Sequence, residues 1–164
     1  MSADCVVIAA LDEDRVIGDG GAIPWHIPDD LRRFRDLTMD SPVVVGRKTF
    51  ETMPPLDGRE TIVLTRSALS PATSTPDAPA HRADSIRAAV AKAEGLADGE
   101  YFVAGGASIY RQFLGQGLVD RMELTLVEGS HGGDARFPEW DDADWSREYL
   151  EQCNGYRHVT LESR

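Results

Sequence analysis

Short apolar runs constrain the fold of this chain of 164 residues more than any other feature. Residues 5–11 (CVVIAAL), 42–46 (PVVVG) and 61–65 (TIVLT) are almost continuously apolar, without the alternation of a half-exposed strand. Runs of this kind are typical of strands in a parallel sheet that is covered on both faces. Each run is far shorter than the about 20 apolar residues of a membrane span, so we expect no membrane segment.

Helical patterns separate the apolar runs. Pro28 suits the first position of a helix that extends to about residue 39, and Asp84 is a candidate N-cap for a helix ending near residue 96. Short helices are predicted at 47–53 and 107–114, strands at 101–104 and 121–127, terminal alternating strands at 145–153 and 157–162, and a surface loop at 67–80. This order predicts one three-layer α/β domain over residues 1–164, with a mostly parallel central sheet and antiparallel C-terminal strands.

Composition limits the classes of partner. The formal net charge of −11 argues against nucleic acid or an anionic membrane as a partner. No basic region precedes the first apolar run, so we expect no signal peptide and a cytoplasmic protein. Cys5 and Cys153 are too few for a disulfide framework, and the four histidines lack metal-ligand spacing, so the sequence predicts no metal site.

Two adjacent acids lie in the segment PWHIPDDLRRF, residues 24–34. Acids in a first helical turn commonly stabilise the helix dipole, and this is the simpler interpretation of both. On a helical wheel, however, Asp30 lies on the side of an apolar stripe formed by Leu31, Phe34 and Leu37, whereas Asp29 faces away. A buried carboxylate needs a protein donor or a polar ligand. We therefore expect Asp29 to be a solvated acid and Asp30 to face a site.

Two strand ends carry glycine and lead directly into helices, in VVVGRKTFE (43–51) and YFVAGGASIY (101–110). Such a junction allows close approach of a phosphate to the backbone, although a tight turn alone would also explain it. Three cations, Arg47, Lys48 and Arg66, follow strand ends in this acidic chain. They suit a ligand with more than one phosphate, unless they are scattered surface charges.

Arg59 and Thr125 each allow two interpretations. Arg59 is either an ion-pair residue or a bidentate partner for a ligand carboxylate. Thr125 is either a simple strand former or a hydroxyl that bonds a buried acid.

The chain resembles the dihydrofolate reductase family over nearly its whole length. The matching segments are IAAL (8–11), RVIGDGGAIPWHIPDDLRRF (15–34), PVVVGRKTFETM (42–53), LDGRETIVLTRS (56–67), VAGGASIYRQFL (103–114), DRMELTLV (120–127) and GDARFPEW (133–140). The PW-x-x-P-x-D block together with the two glycine turns makes the resemblance specific. It implies NADPH-dependent reduction of 7,8-dihydrofolate to tetrahydrofolate by a protein that we expect to be a monomer.

The resemblance also implies roles for single residues. Asp30 matches the acid that bonds the pterin and promotes protonation at N5, Trp25 a tryptophan linked to the pterin through water, and Thr125 the threonine bonded to the acid. Arg59 matches the arginine that takes the glutamate α-carboxylate. The remaining substrate positions are Ile8, Phe34, Leu56 and Ala104. The implied cofactor positions are Ala10, Ile17, Gly18, Arg47, Lys48, Thr49, Thr65, Arg66, Gly105, Gly106, Ser108, Tyr110 and Asp134, with Arg66 suited to the 2′-phosphate and a cis peptide between the two glycines.

Some positions depart from the family pattern. Ile23 and Ile27 replace the common leucine or methionine, Ala135 replaces a frequent threonine, and Ser108 stands where some members carry a cation. The loop from residue 17 to residue 25 matches the family's mobile loop beside the nicotinamide. Two other functions compete: the NADPH-dependent reductase of riboflavin synthesis, which Trp25, Asp30 and Arg59 disfavour, and a nucleotide-binding module without catalysis.

The charge also indicates an environment. Acids outnumber bases by 28 to 17, and only Lys48 and Lys92 among the bases are lysines. We therefore expect a halophilic protein that works at high salt, because an acidic surface repels itself in dilute buffer. A mutational arginine bias in an organism of ordinary salinity is the alternative.

Overall fold

A computed structural model describes residues 3–18 and 25–164 of the chain. The strands are β1 (Asp4–Leu11), β2 (Val16–Gly18), β3 (Val43–Gly46), β4 (Thr61–Leu64), β5 (Ala80–Ala83), β6 (Glu100–Val103), β7 (Arg121–Val127), β8 (Ala135–Arg136), β9 (Trp145–Gln152) and β10 (Tyr156–Ser163). The α-helices are α1 (Pro28–Thr38), α2 (Arg47–Thr52), α3 (Ile86–Leu96) and α4 (Ala107–Gly115), and short 3₁₀ turns lie at Pro71–Thr73 and Asp142–Asp144.

Eight strands form the central sheet in the order β5-β4-β3-β6-β1-β7-β10-β9. The first six strands in this order, from β5 at the edge to β7, are parallel to their neighbours. Strand β10 pairs antiparallel with both β7 and β9. A small antiparallel pair, β2 with β8, lies outside the main sheet. The domain is therefore an α/β domain of the predicted kind, parallel in its centre and antiparallel at its C-terminal edge.

The central strands are buried on both faces, which explains their continuous apolar sequences. Val6, Val43 and Val63 face one core cluster, where Phe34 and Leu37 of α1 and Phe50 of α2 pack. The adjacent residue on each strand, Val7, Val44 or Ile62, faces the other cluster, which contains side chains of α3 and α4. Because successive side chains of a strand point to opposite faces, each of these strands needs apolar residues at every position. The helices thus form the two outer layers.

The structure differs from the sequence expectations in several details. Ser85, not Asp84, caps α3: its side chain accepts a hydrogen bond from the backbone N–H of Ala88, and Asp84 lies one residue too early for that geometry. Leu31, which we expected on the buried stripe of α1, is 55% exposed, because it lies at the edge of that stripe. Strands β2, β5 and β8 were not predicted, since two to four residues carry too little periodicity to be recognised.

The expected loop over the nicotinamide falls largely on residues 19–24, with Gly20, Gly21 and Ile23, which lie outside the described residues. Within the described ranges, no helix has both the length and the apolar character needed to cross a membrane.

Candidate active site

The first turn of α1 carries Asp30 toward the central sheet. Thr125, on β7 and only 4% exposed, donates a hydrogen bond from Oγ1 to Oδ1 of Asp30 at 2.5 Å. Thr125 lies beside Ala10 in the register of β7 with β1, so this contact joins the helix to the middle of the sheet. Asp30 itself is only partly buried. Its carboxylate therefore has one firm protein donor and retains acceptor capacity for a ligand.

A buried histidine extends this contact. His158 on β10 lies opposite Thr125 across the β7–β10 pair, and its Nδ1 is 3.1 Å from Thr125 Oγ1. A hydroxyl carries a single hydrogen, and that of Thr125 points to Asp30, so Nδ1 of His158 must donate to Thr125. Burial, followed by the neighbouring Arg33 guanidinium, lowers the pKa of His158. A neutral imidazole with its hydrogen on Nδ1 therefore holds the Thr125 hydroxyl in place.

The neighbouring acid behaves differently. Asp29 is exposed, forms an ion pair with Arg32 and accepts a hydrogen bond from the Tyr156 hydroxyl at 3.2 Å. It thus faces away from the Asp30–Thr125 contact, as the helical wheel indicates. It is not simply solvated, however, because both of its oxygens have side-chain partners.

An apolar wall lies beside Asp30. The expected substrate positions Phe34 and Leu56 pack with Ile8 and Ala104 in the same core cluster as Val6 and Phe102. Leu56 is 7% exposed, while Phe34 is only partly buried. The four positions named from sequence are therefore brought together on one side of the sheet. They form a surface suited to a flat aromatic group.

Arg59 is a buried cation whose charge is not neutralised by a carboxylate among the described residues. It is 5% exposed; its Nε donates to the carbonyl of Asp57 at 3.1 Å and one terminal nitrogen donates to Thr38 Oγ1 at 3.1 Å. Its guanidinium carbon lies 6.0 Å from the centre of the Phe34 ring. Burial, assisted by the charge of Arg35, lowers the pKa of Arg59. Since an isolated buried charge is costly, this environment suits an anionic ligand group.

The two glycine junctions meet at the carboxyl ends of β3 and β6. The backbone N–H of Gly46 donates to the carbonyl of Gly105 at 2.9 Å, and the Gly105–Gly106 peptide bond is cis, as the resemblance implies. Gly105 has φ of +123°, a conformation that L side chains rarely adopt. A Cβ at Gly106 would lie 3.2 Å from Thr49 Oγ1. Bare backbone and a hydroxyl thus meet before the N-terminus of α4, an arrangement that fits a diphosphate.

The expected phosphate-binding cations are exposed side chains that follow the carboxyl ends of β3 and β4. Arg47 is exposed and lies 3.9 Å from Glu51, a weak pair one helical turn away, and Lys48 is exposed as well. Arg66, beyond β4, is exposed, and its carbonyl accepts a hydrogen bond from Arg82 of β5 at 3.4 Å. Thr65 Oγ1 accepts from the backbone N–H of Ser67, and Ser108 Oγ accepts from Gln112 Nε2. These groups fit a phosphorylated cofactor.

Of the remaining expected residues, several lie near the carboxyl-terminal half of β1. Tyr110 is buried and donates from its hydroxyl to the carbonyl of Ile8 at 2.7 Å, and burial raises its pKa. Ala10 is partly buried on β1, Ile17 and Gly18 belong to β2, and Asp134 immediately precedes β8. Trp25 lies three residues before Pro28, the first residue of α1. It packs edge-on against His131, with ring centres 5.2 Å apart.

Sequence reasoning missed three residues around the site. His158 completes the contact of Thr125, Arg82 adds a cation beside Arg66, and Asp12 holds His131, the partner of Trp25. Each belongs to a strand or loop that is distant in sequence from its partner. Spacing could not reveal them, because only strand order and register bring them into contact.

Comparison with known proteins agrees with this geometry. A family model described as dihydrofolate reductase matches residues 4–161. Among similar proteins, the dihydrofolate reductase HdrB of Haloferax volcanii is 40% identical over 97% of this chain and 83% of its own length. A dihydrofolate reductase of Neisseria meningitidis is 42% identical over 85% of this chain and 82% of its own, and one of Bacillus subtilis is 33% identical over 88% and 82%. The chain belongs to the dihydrofolate reductase family.

Proposed function

We propose that this protein reduces 7,8-dihydrofolate to 5,6,7,8-tetrahydrofolate with NADPH as its specific hydride donor and with the site residues described above. The reaction and a nicotinamide cofactor follow from membership of the family. The preference for NADPH and the role of each residue are our own inferences. The observation that carries the substrate assignments is the Asp30–Thr125 pair beside an apolar wall, with the buried cation Arg59 close to Phe34. The preference for NADPH rests on the exposed cations Arg47 and Arg66, which suit the additional phosphate.

Asp30 is assigned to the pterin ring. With Thr125 holding Oδ1, the carboxylate has acceptor capacity left for N–H groups of the pterin, which fixes the ring against Phe34, Ile8 and Ala104. An acid in this position also promotes protonation at N5, and proton transfer of this kind contributes about 10²–10⁴ in rate. Trp25 would position water near the ring.

Arg59 is assigned to the glutamate tail of the substrate. Its planar guanidinium can take a carboxylate with two parallel hydrogen bonds, which lysine cannot. Thr38 and Asp57 already hold the arginine in place, so little side-chain freedom is lost on binding. Leu56 would cover the aminobenzoyl group between the two ends.

The cofactor is assigned to the glycine junctions. Gly105, Gly106 and Thr49 would hold the diphosphate, with Arg47 and Lys48 nearby, and Arg66 would take the 2′-phosphate through a charge-assisted contact. Thr65, Ser108, Tyr110, Ala10, Ile17, Gly18 and Asp134 would line the rest of the cofactor site. When bound, the cofactor supplies a hydride from nicotinamide C4 to pterin C6, and the protein contributes alignment.

We further propose that the protein acts as a monomer in the cytoplasm. Large apolar side chains that are exposed among the described residues are limited to Leu31, Tyr149 and Leu150. Such scattered groups do not form the contiguous apolar patch of an obligate interface.

One assay tests the activity and its nearest rival together. Loss of NADPH absorbance is followed with dihydrofolate and, separately, with the NADPH-reducible precursor of riboflavin. We expect turnover only with dihydrofolate. Turnover only with the riboflavin precursor would reject the proposal, and so would the absence of turnover with either substrate.

Two variants test the assigned ends of the ligands. Arg59→Lys is expected to raise KM for dihydrofolate by about tenfold or more, since a bidentate charge-assisted contact is lost. A substrate analogue without the glutamate tail should be unaffected, and an equal penalty on both substrates would refute the assignment.

Arg66→Ala is expected to reduce the preference for NADPH over NADH, and Arg87→Ala, an exposed arginine on α3, serves as the control.

A further inference from the structure

The hairpin formed by β9 and β10 brings together three side chains that can bind metals. Glu151 lies on β9 directly opposite His158 of β10, and Cys153 follows two residues after Glu151. Cys153 lies one residue beyond the end of β9, near the side chains of Glu151 and His158. The backbone N–H of Cys153 donates to the carbonyl of Tyr156 at 2.8 Å, which fixes the turn between the strands.

The potential ligand atoms are close enough to share one ion. One atom from each of the three side chains lies within 4.8 Å of the others. Tetrahedral zinc with bonds of about 2.0–2.3 Å places its ligand atoms roughly 3.3–3.6 Å apart. Glu151 is exposed and Cys153 is half-buried, so rotation of their side chains can close the small remaining gap. The pattern E-x-C followed by histidine across a turn escapes a search for metal spacing, because strand register creates it.

One ring nitrogen of His158 is left to bind a metal ion. Nδ1 contacts the Thr125 hydroxyl, whose single hydrogen points to Asp30, so Nδ1 donates to Thr125 and Nε2 is the remaining ring nitrogen. Histidines that bind metals commonly donate their other ring nitrogen to an oxygen group, which orients the ring. Thr125 performs this task here and is itself hydrogen-bonded to Asp30.

The surroundings suit a cation with an open coordination position. Glu151, Cys153 and His158 line a cavity of about 440 Å³, which also contains the Tyr156 side chain. Its charged lining comprises the carboxylates of Asp29, Asp36 and Glu151 and the guanidiniums of Arg32 and Arg33. A deprotonated Cys153 would add a further negative charge. The cavity leaves room for water as a fourth ligand.

We propose that Glu151, Cys153 and His158 form a binding site for a divalent transition metal ion, best suited to Zn²⁺. Thiolate, imidazole and carboxylate together match the ligand preference of zinc, whereas magnesium and calcium prefer oxygen alone. The Thr125 hydroxyl links this site to Asp30, because it contacts both Oδ1 of Asp30 and Nδ1 of His158.

Cobalt substitution provides the direct test. The full-length protein, reduced and freed of metals with a chelator, is titrated with Co²⁺ under anaerobic conditions, and its absorption spectrum is recorded. We expect one Co²⁺ per chain, a thiolate-to-cobalt band in the near ultraviolet and the visible bands of a tetrahedral site. One equivalent of Zn²⁺ should abolish these bands.

Matched variants locate the ion. Cys153→Ser should remove the thiolate band, and Glu151→Gln should weaken Co²⁺ binding by about tenfold or more, since a charged ligand is lost. Glu148→Gln, an exposed acid on the same strand, should leave binding unchanged. Circular dichroism confirms that each variant folds. The absence of saturable binding, or a thiolate band that persists in Cys153→Ser, would overturn the proposal.

Discussion

Two aspartates of this protein are held in opposite ways. Asp12, just after β1, is 4% exposed and accepts hydrogen bonds from three backbone N–H groups: those of Asp14 and Val16 at 2.9 Å and that of His131 at 2.8 Å. Among the described residues, Asp30 accepts one hydrogen bond, from the Thr125 hydroxyl, and it is only partly buried. One carboxylate is saturated by the protein, and the other retains acceptor capacity.

The difference separates a structural acid from the acid to which we assign the catalytic role. Asp12 joins the turn between β1 and β2 to the loop after β7, and His131 in that loop packs against Trp25. The His131 Nδ1 atom, 3.3 Å from Oδ2, is a fourth neighbour of the Asp12 carboxylate, so little acceptor capacity is left for a ligand. Among the described residues, Asp30 accepts only from the Thr125 hydroxyl, so its remaining acceptor sites can meet a substrate. Burial alone would favour Asp12 over Asp30, to which we assign the catalytic role; the number of fixed donors distinguishes the two carboxylates.

The largest expected effect is on turnover. Asp30→Asn should lower kcat for dihydrofolate at neutral pH by about 10²–10⁴, the range attributed to positioned proton transfer. Asp12→Asn should keep kcat within a few-fold, measured where the variant is fully folded. Asp29→Asn, which alters an exposed neighbour of Asp30, is the control and should be nearly silent. Equal losses in Asp30→Asn and Asp12→Asn would break the distinction between the two acids.

The Thr125 contact supplies a second, smaller effect on catalysis. Thr125→Val keeps the shape of the side chain but removes the donor of Asp30 and the acceptor of His158 Nδ1. We expect kcat to fall by about tenfold and the free energy of unfolding to fall by about 1–3 kcal/mol, because a buried imidazole N–H loses its partner. Steady-state kinetics and urea unfolding measure the two quantities. Unchanged values of both would show that the hydroxyl holds neither side chain.

The free energy of unfolding should show the reverse order, with a larger loss in Asp12→Asn than in Asp30→Asn. Asp12→Asn is expected to lower the free energy of unfolding by about 1–3 kcal/mol, because the amide group presents N–H to a buried backbone donor. Asp30→Asn should have little effect, since Asp30 has one donor and access to water. Urea unfolding of both variants measures the contrast. A larger loss in Asp30→Asn would contradict it.

The pH dependence of the stability lost in Asp12→Asn follows from the N–H groups that donate to the Asp12 carboxylate. Burial alone would raise the pKa of Asp12, but the N–H groups of His131, Val16 and Asp14 outweigh it and lower the pKa. Its stabilising contribution is therefore full above the unfolded-state pKa of about 3.9 and disappears as pH falls through the lower folded-state value. The difference in stability between wild type and Asp12→Asn should shrink as pH falls below about 4 and the Asp12 carboxylate is protonated. A difference that grows in that acid range would be incompatible with this account.

Salt concentration should have the smallest effect, and it acts on the charged surface as a whole. The exposed acids that give the chain its net charge of −11 repel one another over long range, and the Debye length falls from about 10 Å at 0.1 M to about 3 Å at 1 M salt. The melting temperature of the wild type should therefore rise from dilute buffer to about 2 M KCl. The stability lost in Asp12→Asn should hardly change, because a buried carboxylate is screened little. A melting temperature independent of salt would refute the halophilic hypothesis and leave the comparison of the two acids intact.

The sequence by itself determined the layered architecture and much of the candidate site. Valine at consecutive positions of β1 and β3 predicts strands buried on both faces, and the amphipathic start of α1 distinguishes Asp30 from Asp29. These features are encoded by local periodicity, which a linear pattern preserves. The glycine junctions were recognised for the same reason, since strand, glycine and helix follow one another directly along the chain.

Only the tertiary structure decided which acid is saturated and which is open. The donors of Asp12 include an N–H that lies 119 residues away, and the donor of Asp30 lies 95 residues away. His158 reaches Thr125 through antiparallel strand register, as does the cluster with Glu151 and Cys153. The function of a carboxylate depends on how many donors surround it, and those donors arrive from strands whose order in the sheet no local pattern specifies.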